Sequence, residues 1–166
     1  MGTKKWLEDL EQGNKGERVV ADYIVSNRPQ YGIAEFRNDK KYDVRFTSTT
    51  EEDLTIEVKT DRYEFIKGYK TWNIYVEVTC SGRDSGIMAT EADYFIYYFP
   101  DFEEAYMISS EKLRKFIKDN PVDTDGLDWK TGSGDGGRVT GVTIHRKYWR
   151  KLFNVIKIKK DENLWK

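Results

Sequence analysis

The sequence predicts an α/β or α+β layer fold with a mixed central sheet. Three observations carry this. An N-terminal stretch repeats its apolar residues at helical spacing. Three short strand-like runs then follow one another closely. Further strands and a second helix come after them.

The helix is read over Lys5–Asn27. Trp6, Leu7 and Leu10 recur with Val19, Val20, Tyr23 and Ile24 on one side. Gly13 and Gly16 are expected to split it, and Arg28–Pro29 to end it, since a residue before proline avoids helical geometry. Strands are expected at Ile33–Arg37, Tyr42–Thr47 and Leu54–Thr60, with the polar "TSTTEED" as the turn between the last two. "TWNIYVEVTC" places Ile74, Val76 and Val78 on one face and Tyr75 and Glu77 on the other. A short helix or turn should precede the apolar strand Tyr94–Phe99, and "AYMIS" reads as another strand. Ser109 or Ser110 should cap a helix running to about Lys118. Residues 120–141, including "DGLDWKTGSGDGGR", are rich in glycine and aspartate and read as a long, flexible loop. Strand, short helix and strand complete the chain. The expectation is one domain over residues 1–166.

Composition narrows the chemistry. The 34% charged content and the absence of a long apolar run exclude a membrane-spanning segment from expectation. The N-terminus lacks a signal-peptide core, and one cysteine, Cys80, excludes an internal disulfide and fits a reducing cytoplasm. His145 is the single histidine and reads as structural. Histidine- and cysteine-rich metal sites are thereby excluded, so hydrolytic metal chemistry would need oxygen ligands and hence Mg²⁺ or Mn²⁺. The net charge of −1 gives no global case for nucleic-acid binding, although 28 Lys and Arg can still form local patches.

Charged residues inside apolar elements stand out. Glu57 and Lys59 share one face of "LTIEVKT", Asp43 opens "YDVRF", and Glu17 lies in "KGERVVADYI". Pairing of the two strands would bring Asp43 toward Glu57 and Lys59. Asp43, Glu57 and the Val58 carbonyl could then ligate one divalent ion, with Lys59 orienting or deprotonating a water and offsetting phosphate charge. A salt-bridged solvated face is the competing reading of Glu57 and Lys59, and an exposed helix carboxylate that of Glu17.

Tyr42–Asp43, followed after one hairpin by "IEVK" (Ile56–Lys59), resembles the PD-(D/E)XK nuclease superfamily. This superfamily includes restriction endonucleases, Holliday junction resolvases and phage nucleases. The resemblance spans roughly residues 15–99 and implies a restriction endonuclease-like α-β-β-β-α-β core with a mixed sheet flanked by helices. It implies a Mg²⁺-dependent deoxyribonuclease similar to the small phage-type members, with Asp43 and Glu57 as acidic ligands, Lys59 as the catalytic lysine and Glu17 as the helix carboxylate. Tyr42 stands where the family's proline would be. Glu77 would be an added ligand or an exposed strand carboxylate. Ser85, Thr90 and Glu91 would open the following helix, where free amides meet phosphate.

DNA is the implied partner. Lys67, Lys70, Arg83 and Arg138 are candidate contacts, with Lys40, Lys41 and Arg45 beside Asp43, and Tyr63, Tyr69 and Trp72 interleaved. Symmetric duplex or junction cutting would call for a homodimer. A catalytically inactive DNA- or protein-binding module on the same fold is the alternative.

Overall fold

The computed structural model of the chain describes all residues except Met1, Asn38, Lys40, 63–67, 69–70, Trp72, 134–135, Asp161 and Lys166. Lys40, Tyr63, Lys67, Tyr69, Lys70 and Trp72, expected near DNA, therefore lie outside the described residues.

A long helix, α1 (Gly2–Asn27), leads into β1 (Tyr31–Phe36), β2 (Val44–Ser48) and β3 (Leu54–Thr60). These three form an antiparallel meander. After a crossover, β6 (Tyr94–Phe99) returns parallel to β3, pairing Glu57 with Phe95 and Lys59 with Tyr97. β7 (Glu104–Ser109) and β10 (Asn154–Lys157) complete a six-stranded mixed sheet in the order β1-β2-β3-β6-β7-β10. The described part of the crossover holds β4 (Ile74–Cys80), the short β5 (Arg83–Asp84) and a 3-10 turn at Gly86–Met88. β4 and β5 join β8 (Leu127–Ser133) and β9 (Val139–Ile144) in a second, antiparallel sheet ordered β5-β4-β9-β8. Helices α2 (Ser110–Asp119) and α3 (Arg146–Leu152) complete the α+β architecture. No helix among the described residues is long and apolar enough to cross a membrane.

Burial explains the element patterns. β6 is buried on both faces, as a central strand with a parallel neighbour must be. Its Ile96 and Tyr98 join Val20, Ala21 and Ile24 of α1 in one core. Its Phe95, Tyr97 and Phe99 join Ile74 and Val76 of β4 and Trp149 of α3 in the other. The mixed sheet is thus the middle layer. The Ser109 hydroxyl accepts from Lys112 N at 3.2 Å and caps α2 as expected.

Three expectations are corrected. α1 is one continuous helix, because Gly13 and Gly16 cost propensity while burial of Val20, Ala21 and Ile24 holds the helix on the sheet. Residues 120–141 are not a continuous loop. Leu127 and Trp129 alternate toward the core along β8, which pairs with β9, and the glycines cluster at the turn end. Gly132, Gly136 and Gly137 have φ of 76°, 70° and 85° there, conformations that glycine adopts without strain. No helix opens after Ser85. The chain makes a three-residue 3-10 turn instead, entered through Gly86 at φ 50°, where a side chain would strike the Glu77 backbone.

Candidate active site

β2 begins one residue after Asp43, so this carboxylate stands at the end of the strand rather than within the ladder. The Asp43 N–H donates to the Ile56 carbonyl at 2.9 Å. Its side chain then turns back, and Oδ2 accepts from Val58 N at 2.7 Å. The Val58 carbonyl points to the same side of β3 as its N–H, because both groups of one strand residue share an edge. Asp43 and Val58 are thereby brought together.

Glu57 and Lys59 lie on the opposite face of β3 from the buried Ile56 and Val58. Glu57 is only 8% exposed, which rules out the solvated-face reading of this carboxylate. One oxygen, Oε1, lies 3.3 Å from Lys59 Nζ. The other, Oε2, lies 3.2 Å from the Thr90 hydroxyl, which also lies 2.9 Å from the Lys41 carbonyl. Ala92 N donates to the same hydroxyl at 3.2 Å. Thr90 is thus a buried strut between Glu57 and the segment that precedes Asp43. Its sequence offers no signal for this, since Glu57 lies 33 positions away.

A cavity of about 420 Å³ gathers Asp43, Glu57, Val58 and Lys59 with Glu17 of α1 and Glu77 of β4. Ser85 donates its hydroxyl to Glu77 in the same wall. The cavity is strongly acidic, and its carboxyl groups respond to that. Burial, then the charges of Asp43 and Glu57, push Glu17 up to about 7. Burial, then Glu57, push Asp43 up to about 6 against the opposing Val58 N–H and Lys59 ammonium. The Lys59 side chain is 49% exposed; partial burial favours the neutral amine, but Glu57 and Asp43 outweigh it and hold its pKa above the ordinary lysine value. Among the described residues, no three carboxylate, histidine or cysteine side chains form a metal cage on their own. A cation here would have to combine two carboxylates with a backbone carbonyl and water.

The basic residues divide. Arg45 pairs with Glu35 and Asp53 at 3.2 Å each, and Lys41 lies 3.7 Å from Glu91. Arg83 and Arg138 are exposed and lie at one end of the second sheet. Cys80 pairs with both Arg83 and Val139, and Ser81 N donates to the Arg138 carbonyl at 2.9 Å. Outside the cavity, His145 Nε2 lies 2.6 Å from Asp128 Oδ2, and His145 precedes α3 as its N-cap.

Neither family models nor curated proteins match the chain. Among solved structures, a bacterial homing endonuclease is similar to it at 19% identity and a TM-score of 0.42, covering 60% of this chain and 68% of that one.

Proposed function

We propose that the protein is a divalent-cation-dependent DNA phosphodiesterase of the PD-(D/E)XK type. One observation carries the reading. Asp43, Glu57 and Lys59 line one cavity at the end of β3, with Asp43 bonded to Val58 N and Lys59 paired to Glu57. Asp43, Glu57 and the Val58 carbonyl would hold Mg²⁺ or Mn²⁺, with Glu17 and Glu77 acting through water. Their oxygen donors suit a hard cation, and one cavity gathers Glu17, Asp43, Glu57 and Glu77 as donors for it. When bound, the cation supplies Lewis acidity at the phosphoryl group. Lys59, 3.3 Å from Glu57, would meet charge that develops on the phosphate and orient or deprotonate a water.

The test combines binding and cleavage. Calorimetric titration of Mn²⁺ should give one site in the native protein and lose it in Asp43→Ala. Plasmid, junction and single-stranded DNA should be cut by the native protein with Mg²⁺ or Mn²⁺ and left intact in EDTA. Equal Mn²⁺ binding by the two proteins, or no cleavage of any substrate, rejects the reading.

A further inference from the structure

A second cavity, of about 240 Å³, adjoins the acidic one. The two share Lys59, Thr60, Glu77 and Gly86 in their walls, so a strand lying in the first borders the second directly. Their chemistry differs. Where the first is lined by Glu17, Asp43, Glu57 and Glu77, the second is lined by Asp61 and Glu77 and by a half-buried Tyr75 set against the buried Phe95, Tyr97 and Ile87. Tyr75 is two residues from Glu77 on β4, so ring and carboxylate share one face of the strand. Gly141 on β9 makes room for that ring: a Cβ at Gly141 would lie 2.5 Å from the Tyr75 hydroxyl. On the other side, the Tyr97 hydroxyl donates to Asp61 Oδ2 at 2.9 Å, which fixes the second ring.

We propose that this aromatic cavity receives an unstacked nucleobase from the DNA strand whose phosphate lies at Lys59. The proposal rests on the phosphodiester-cleaving reading above. An aromatic wall contiguous with a phosphate-binding lysine suits a nucleotide with its base turned out of the stack. Such stacking tolerates any sequence, because every base has a π-face. Duplex DNA would have to give up a base to fill the cavity, so single-stranded, frayed or mispaired positions are the favoured substrates.

Binding can be read without cleavage. Fluorescence anisotropy in Ca²⁺ buffer compares a labelled oligothymidine with an oligomer of equal length built from abasic sites. Base stacking of this kind amounts to roughly 5- to 150-fold in affinity. The native protein should prefer oligothymidine by a factor in that range. Tyr75→Ala should remove the preference, and Tyr75→Phe, which keeps the ring, should retain it. Equal affinity of the native protein for both probes, or no binding of either, overturns the proposal, and so does a folded Tyr75→Ala that keeps the preference. The comparison within the native protein holds even if Tyr75→Ala fails to fold. Base preference without cleavage would reject the catalytic reading alone, and cleavage without base preference would reject the base site alone.

Discussion

Gly16 of α1 abuts Thr60 at the end of β3 so closely that a Cβ on Gly16 would fall 1.7 Å from the Thr60 hydroxyl. The Thr60 hydroxyl is buried there without a hydrogen-bond partner among the described residues. This contact sets how near α1 comes to the strand that carries Glu57 and Lys59. Glu17 is the next residue, so the same contact positions its carboxylate in the cavity.

Gly16→Ala should therefore destabilise the protein. Overpacking of this kind costs about 1–3 kcal/mol, and the helix-propensity gain of about 1 kcal/mol offsets only part of it. Adding Thr60→Ala removes the closest clashing atom and should recover part of the loss, since the Cβ of residue 60 would still lie 2.8 Å away. Urea denaturation of the single and double variants checks this. Additive losses in the double variant would show that the two residues do not meet.

Thr90→Val keeps the shape of the side chain and removes its hydroxyl. The single hydroxyl proton can reach either Glu57 Oε2 or the Lys41 carbonyl, so the variant removes the donor shared by these two acceptors, and the Ala92 N–H loses its acceptor. The expected cost is about 1–3 kcal/mol in stability for the unpaired buried groups. Loss of a group that orients a metal ligand also costs on the order of 10- to 100-fold in metal affinity or activity. Thr90→Ser should stay near native in both. Calorimetry with Mn²⁺ and a cleavage assay decide it, and a fully active Thr90→Val would remove Thr90 from the site.

Lys59→Ala should reduce cleavage while leaving Mn²⁺ affinity within a few-fold of native, because the ammonium is assigned to charge that develops during reaction. The cleavage rate and the calorimetric isotherm are measured on the same preparation. A native cleavage rate in Lys59→Ala contradicts the assignment.

Stability should fall as pH rises. Glu17 and Asp43 have folded pKa values raised to about 7 and about 6. Unfolded carboxyl groups titrate near pH ~4, so the native state binds more protons between these limits. The contribution is full below about pH 4 and is lost as pH climbs through 6 and 7. Urea midpoints in EDTA should decline over this window, and Glu17→Gln should flatten the decline. Mn²⁺ should restore more stability at pH 8 than at pH 5, since only the ionised pocket attracts it. A midpoint that rises across the window in EDTA contradicts this.

Local pattern made much of the fold legible. "LTIEVKT" and "YFIYYF" coincide with β3 and β6, because each is an apolar run bounded by polar turns. Asp43, Glu57 and Lys59 were readable as one group because a short hairpin joins them, and only the β2–β3 register was needed. Other features depend on contacts distant in sequence. Glycine content obscured β8, whose alternation of Leu127 and Trp129 acquires meaning only against β9. Helical continuity through Gly16 depends on what α1 packs against, and Thr90 looks like any loop threonine until β3 lies beside it. The aromatic cavity depends on β4 meeting the end of β3 across two sheets.

Arg83 and Arg138 supply the last prediction. Both are exposed at the β4–β9 end of the second sheet, joined through Cys80 and Ser81, and β4 itself carries Glu77 into the cavity. A DNA backbone passing the acidic cavity needs cationic contacts outside it, and this strand end offers two. If both meet phosphates, the Arg83→Ala, Arg138→Ala double variant releases about two fewer counterions on binding. The slope of log affinity against log salt should then become shallower by about 2, with affinity falling alike for all sequences. Each single variant should account for about half of that change. Anisotropy titrations over a salt series measure it, with circular dichroism to show that the sheet is intact. An unchanged slope in the double variant would move the DNA path to another face.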